Sequence, residues 1–262
     1  MTAAPCFSRY VAIGDSTTEG LEDPAPGGGY RGWADRLAER LAALNPEFRY
    51  ANLAIRGRLA GAIRAEQLAP ALALEPDLST VVAGLNDALR PGFDPAHVEA
   101  DLDAMIGSLR GAGATVATFT MPDPGQLGPA GRLARSRIGA LNDATRRVAA
   151  RHGALVIDFA GRGFTSDPRL WSPDRLHANA DGHARIAAAF AEALGLPGAD
   201  DSWTAPLPPG PTPALPRVVA AEAAWTARHL GPWIVRRIRG RSSGDGITPK
   251  RPALAPIEPA GR

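Results

Sequence analysis

The chain has 262 residues, 45% hydrophobic and 21% charged, with a formal net charge of +2. That balance is ordinary for a globular protein and suffices for one sizeable domain with an appendage. The single cysteine, Cys6, excludes an internal disulfide and fits a reducing compartment, so a cytoplasmic location is expected.

We read no basic and apolar leader before the first strand, and no apolar run near the ~20 residues of a membrane span. The charge is uneven. From Trp203 onward nine residues are basic and three acidic, a net +6, which leaves −4 on the first 202 residues.

Tyr10 to Ile13 is β-branched, aromatic and uncharged, and reads as a buried strand ending at Gly14-Asp15-Ser16. Gly14 allows a sharp turn without a Cβ clash. Ser16 then sits past a strand's carboxyl end, where open α/β sheets place their ligands. After a loop to Tyr30, Trp33, Leu37, Leu41 and Leu44 recur at helical spacing until Asn45-Pro46. Residues 48–54 alternate as a second strand, Ile55-Arg56-Gly57-Arg58 turns, and a short helix runs to about Ala69. Residues 78–84 read as the third strand, ending in Leu85-Asn86-Asp87.

Asp94-Pro95 is a helix start, an N-cap followed by proline in the first turn. That helix runs to about Arg110, and residues 114–120 form strand four. Met121 to Gly131 is Pro- and Gly-rich, without period, and is placed to line or cover a site. A helix from about Arg132 to Arg151 leads to strand five, residues 154–159. A long loop, Gly161 to Leu176, precedes a last helix that begins at Ala180 and ends at Gly195. Five apolar strands separated by helices predict a parallel, doubly wound sheet. Crossover handedness then brings the turns at Ser16, Gly57, Asn86 and Met121, and the long loop, to one edge.

That edge gathers groups suited to acyl transfer. Ser16 is the candidate nucleophile. Asp174-Arg175-Leu176-His177 supplies a base and its orienter three residues apart. A serine hydroxyl is nearly inert until an imidazole takes its proton, and a carboxylate on the other ring nitrogen fixes the tautomer. Backbone N–H groups of Ser16 and Gly57 and the Asn86 amide are candidate oxyanion donors. Taken singly, each has a plainer reading: Gly57 a turn glycine, Asn86 and Asp87 turn caps, Asp174 an N-cap and His177 a surface histidine. Asp15 is assigned to the turn, Asp87 to supporting its loop and His183 to structure. His97, His152 and His229 are expected to be exposed and without partners, and a supporting role is open for Asp158.

In order, the chain carries Gly14-Asp15-Ser16, then Asn52-Leu53-Ala54-Ile55-Arg56-Gly57, then Gly84-Leu85-Asn86-Asp87, then Asp174-Arg175-Leu176-His177. These four blocks resemble those of the SGNH subgroup of GDSL esterases and lipases, over about residues 9 to 195. The resemblance implies a flavodoxin-like three-layer α/β/α sandwich with a five-stranded parallel sheet in the order 2-1-3-4-5. It also implies Ser16 as nucleophile, His177 as base and Asp174 as its partner, with Ser16, Gly57 and Asn86 as the oxyanion hole. It implies no metal and no organic cofactor. The expected reaction is hydrolysis of a small-molecule carboxylic ester, with short acyl or acetyl esters as substrates, through an acyl-enzyme on Ser16. An acyltransferase using the same triad is the first alternative. A non-catalytic binding protein acting through its basic tail is the second.

The expected domains are residues 1–196 for the hydrolase, 197–216 for a proline-rich linker, 217–241 for a basic amphipathic helix and 242–262 for a disordered tail. Trp225, Leu230, Trp233 and Ile234 are the helix anchors, and Pro232 should kink it. Two partners suit this C-terminal helical extension: the acidic body of the protein itself, or an anionic lipid surface. Nucleic acid is not expected, because no aromatic platforms interleave with the basic residues. The depth of the acyl pocket is expected to depend on Met121–Gly131 and Trp171, and nothing in the sequence sets the oligomeric state.

Overall fold

The computed structural model describes residues 6–124, 129–210, 224–225, 228 and 243–258. Six strands form one sheet: β1 (Arg9–Gly14), β2 (Arg49–Asn52), β3 (Leu78–Val82), β4 (Thr115–Thr120), β5 (Leu155–Asp158) and β6 (Arg251–Ala255). Their order is β5-β4-β3-β1-β2-β6. The first five strands are mutually parallel, with Tyr10 beside Tyr50 on one side and Leu78 on the other. Helices flank the sheet, so its central strands are buried on both faces, which is why β1 and β3 read as unbroken apolar or small-residue runs.

The helices are α1 (Ser16–Glu19), α2 (Gly32–Leu44), α3 (Ala60–Ala73), α4 (Leu85–Ala88), α5 (Pro95–Gly111), α6 (Pro129–His152) and α7 (Ala180–Ala193). Packing follows the apolar stripes. Helix α2 lies on α7, with Trp33 stacked on Phe190 at 4.5 Å between ring centroids. Helix α5 packs on α3 and α6. Asp94 caps α5 through the Ala96 and His97 N–H groups, as its spacing before Pro95 predicts. Among the described residues no helix is long and apolar enough to cross a membrane.

Three expectations give way. The tail assigned to disorder contains β6, which pairs antiparallel with β2 and makes the sheet six-stranded. Pro252 lies within β6, and an edge strand tolerates a missing N–H. Lys250, just before β6, is largely buried: its Nζ lies 2.9 Å from Asp35 and donates to the Tyr30 and Arg31 carbonyls. The proline-rich linker is also part of the body at its start. Trp203 is buried edge-on against Phe159 and Phe164, and Arg185 donates to the Trp203 and Ala205 carbonyls. Finally, α3 does not end near Ala69 but runs through Pro70 to Ala73. The expected helix over residues 217–241 lies outside the described residues except at Trp225 and its neighbour and at Arg228.

Histidines divide by burial. His183 is buried: Nδ1 accepts the Trp33 N–H at the start of α2, and Nε2–H donates to the Leu21 carbonyl. Burial disfavours the imidazolium and lowers its pKa to about 4. The unfolded chain takes up that proton near 6.5, so this group alone removes up to about 3 kcal/mol of stability as pH falls from 6.5 to 4. Asp15 opposes it: burial raises its pKa to about 6. The native state therefore binds that proton first, which adds stability as pH falls below 6. A proton NMR titration should find the His183 ring neutral down to about pH 4. Titration at 6 or above would mean that the ring is hydrated.

Two other histidines have partners, contrary to expectation. His152 Nε2 lies 2.9 Å from Asp103, and the exposed His97 lies 3.7 Å from Asp101 one helical turn on. His229 lies outside the described residues.

Candidate active site

The carboxyl ends of β1, β2 and β3 and the loop before α7 meet at one place. There the backbone of Gly14 is held by a side chain from another element. The Gln67 amide on α3 accepts from Gly14 N–H and donates to Gly14 C=O, each at 2.9 Å. Asp15 caps α1 by accepting the Thr17 N–H. Ser16, the first residue of α1, is only 8% exposed.

The loop from Trp171 to Ala178 closes like a small hairpin. Those two residues form an antiparallel bridge, and Ser172 N–H donates to His177 C=O. Inside it, Asp174 Oδ1 accepts from the Ser172 hydroxyl at 2.6 Å and from the Leu176 and His177 N–H groups. Arg175 pays a backbone cost at the turn, with φ +59°. The loop aims His177 at Ser16. Its Nδ1 lies 2.7 Å from Asp174 Oδ2, and its Nε2 lies 2.9 Å from Ser16 Oγ. Burial works against the Asp174 charge, but the His177 ring, the Ser172 hydroxyl and the His177 N–H outweigh it. They hold this carboxyl well below the usual range. It is therefore ionised at neutral pH, keeps the proton on Nδ1 and leaves Nε2 to accept from the serine.

Gly57 and Asn86 line the same cavity as Ser16 and His177. The turn carrying Gly57 is pinned by a pair that the sequence reading did not single out. Arg56 N–H donates to Glu19 Oε2 at 2.7 Å, and the Arg56 guanidinium makes a short ion pair with the same carboxylate. Thus α1, which carries Ser16, and the Gly57 turn are tied by one nearly buried acid. The signal was available: opposite charges stand immediately before two glycines, Gly20 and Gly57. Asn86 Nδ2 lies 3.0 Å from Asp15 Oδ2 and 3.1 Å from the Arg58 carbonyl. Asp87 accepts from Ala60 N–H and so supports the start of α3. Asp158 lies outside the cavity lining, where it accepts from Thr120 at 2.6 Å and pairs with Arg146.

The cavity has a volume of about 760 Å³. Its deep wall is apolar, built by Phe119, Met121, Ile138, Phe159, Phe164 and Ile186. Met121 is fixed as Gly14 is: Asn142 accepts from its N–H and donates to its carbonyl. Trp171 also lines the cavity, and its indole N–H is spent on the Thr165 carbonyl. Of the loop Met121–Gly131, residues 125–128 lie outside the described residues.

The sequence matches the GDSL-like Lipase/Acylhydrolase family over residues 12–185. A search of curated proteins found no match. Among solved structures, LAE5, an alpha/beta hydrolase enzyme from the metagenome of Lake Arreo in Spain, is 26% identical. The alignment covers 72% of this chain and 95% of that one, with a TM-score of 0.61. TesA is 25% identical over 71% of this chain and 98% of its own, with a TM-score of 0.59. A catalytic mutant of Axe2, an acetylxylan esterase from Geobacillus stearothermophilus, shares the fold with a TM-score of 0.63. It is 19% identical over 74% of this chain and 97% of that one. The match spans well over half of the sequence, from within β1 to the first turns of α7. The chain belongs to the GDSL-like lipase/acylhydrolase family and is an ester-bond hydrolase.

Proposed function

We propose that this protein hydrolyses carboxylic esters through an acyl-enzyme on Ser16, and that its substrates carry an apolar acyl chain. The observation that carries the reading is the continuous line from Asp174 Oδ2 through His177 to Ser16 Oγ, at 2.7 and 2.9 Å. His177 Nε2 takes the hydroxyl proton as Oγ bonds to the ester carbon. The carbonyl oxygen becomes an oxyanion facing the Ser16 and Gly57 N–H groups. Asn86 joins them by turning one amide hydrogen from the Arg58 carbonyl to the oxyanion. Collapse breaks the bond to the alkoxy oxygen, and His177 gives its proton to the departing alcohol. Water repeats the sequence on the acyl-enzyme, with His177 again as base, and frees the acid and Ser16.

The short acyl or acetyl esters expected from the resemblance fill little of a 760 Å³ cavity with an apolar deep wall. Burying a methylene is worth ~0.8 kcal/mol. Six extra methylenes, even partly enclosed, should give p-nitrophenyl octanoate at least about a tenfold higher kcat/KM than the acetate. A fluorophosphonate probe should label Ser16, located by peptide mass spectrometry. Failure of both labelling and turnover sinks the hydrolase mechanism, whereas equal rates on the two esters sink only the acyl-chain assignment.

A further inference from the structure

The C-terminal extension lies beyond the family match, yet it reaches the active site. Three of its described residues, Trp225, Arg228 and Ser243, line the cavity. Trp225 is half-buried. Its indole N–H donates to the Asp174 backbone carbonyl at 3.1 Å. The Arg175 guanidinium carbon stands 5.0 Å from its ring centroid. One side chain thus touches two consecutive residues of the loop that aims His177, and the second of them is held at a left-handed φ.

The extension is anchored on both sides of the cavity. On the side of the Asp174–His177 loop, Trp203 is buried against Phe159 and Phe164, and Arg169 donates to the Pro208 carbonyl. On the side of the Gly57 turn, Gly244 sits so close that a Cβ there would overlap the Arg56 carbonyl oxygen. Lys250 then fastens onto Asp35 and the Tyr30 and Arg31 carbonyls, and β6 closes the sheet edge. These contacts fasten the extension to the body both before and after Trp225 in the chain, and Trp225 itself meets the body at Asp174 and Arg175.

We propose that Trp225 is a positioning and specificity-determining residue of the esterase site. Its N–H steadies the loop that presents Asp174 and His177, and its ring walls the cavity so that a long acyl ester is enclosed. The inference rests on the reading of Ser16, His177 and Asp174 as the catalytic groups. The two functions separate chemically. Phenylalanine keeps an apolar ring and loses the donor, whereas alanine loses both. Positioning acts on the chemical step of every ester, while enclosure acts on binding of the longer ones.

The test is steady-state hydrolysis of p-nitrophenyl acetate and octanoate by the full-length wild type, Trp225→Phe and Trp225→Ala, with thermal melts of each. Trp225→Phe should lower kcat about fivefold on both esters and leave the ratio of their kcat/KM values unchanged. Trp225→Ala should lower kcat similarly. It should also raise KM about tenfold for the octanoate and leave KM for the acetate in place. Wild-type kcat in Trp225→Phe overturns the positioning role. A wild-type octanoate-to-acetate ratio in Trp225→Ala overturns the specificity role. A uniform loss on both esters in Trp225→Ala that tracks a lowered melting temperature overturns both, because it marks a loosened fold. A wild type that turns over neither ester and is not labelled at Ser16 overturns the hydrolase mechanism itself, and this inference with it.

Discussion

Ser16→Ala is expected to lower kcat on p-nitrophenyl octanoate at least about 10³-fold, with no change in melting temperature beyond about 1 °C. The reason is chemical rather than structural. The Ser16 hydroxyl lines the cavity and is hydrogen-bonded to His177 Nε2 at 2.9 Å, which makes it the oxygen proposed to receive the acyl group. Alanine removes that oxygen and keeps the backbone N–H proposed to face the oxyanion. It also keeps the α1 cap at Asp15 and the Gln67 clamp on Gly14. What survives is the modest acceleration that binding and oxyanion stabilisation give to attack by water. Stopped-flow assays of both proteins, with circular dichroism melts as the folding control, make the comparison. A variant that kept a tenth of the wild-type rate would falsify the assignment of Ser16 as nucleophile.

The elements that were legible in the sequence are those whose cause is local. Tyr10 to Ser16 reads as strand and turn because an uninterrupted apolar run stops at glycine. Helix α5 begins at Pro95 because an N-cap acid and a first-turn proline define a start by themselves. His177 and Asp174 were readable as a pair because they stand three positions apart within one loop, and the geometry follows from a single turn.

The unread parts are all long-range. Nothing in the spacing of Gln67 says that it brackets Gly14, or in that of Glu19 that it holds Arg56, 37 residues away. Such contacts exist only once strands and helices have been ordered in space. Composition misled where a few residues outweighed their surroundings. Trp203 sits among prolines and acids yet fills a gap between Phe159 and Phe164. Lys250 and β6 follow a Gly- and Ser-rich stretch, but β2 presents an unpaired edge and Asp35 a nearly buried carboxylate. A short strand and one ammonium satisfy both. The same blindness extends to the site. The resemblance covers Ser16, Asp174 and His177, whereas Trp225 lies outside it and gains its meaning only from contact with Asp174.

Gly32→Ala is the structural counterpart of the nucleophile test, and a large loss of stability is expected. Gly20 ends α1 and Gly32 begins α2. Their backbones cross in contact: a Cβ on Gly32 would overlap the Cα of Gly20, and the reverse substitution would meet the Cα of Gly32. Both residues have positive φ, +96° at Gly20 and +73° at Gly32, so alanine meets conformational strain as well as collision. Left-handed strain costs of order 1–3 kcal/mol and overpacking a similar amount. Backbone faces backbone here, and no flexible side chain can move aside. The sum, about 2–6 kcal/mol, corresponds to a fall in melting temperature of roughly 10 °C for a chain of this size. Activity should fall further than stability. The displaced element is α1 itself, and a shift of ~1 Å in a reacting group costs about 10²-fold. Gly27→Ala is the control: it lies in the intervening loop, at a φ outside the left-handed region, with no atom near its Cβ position. Its melting temperature should stay within about 1 °C of wild type. If Gly32→Ala melts there too, the two backbones are not in contact, and the placement of Ser16 depends on Asp15, Gln67 and Glu19 alone.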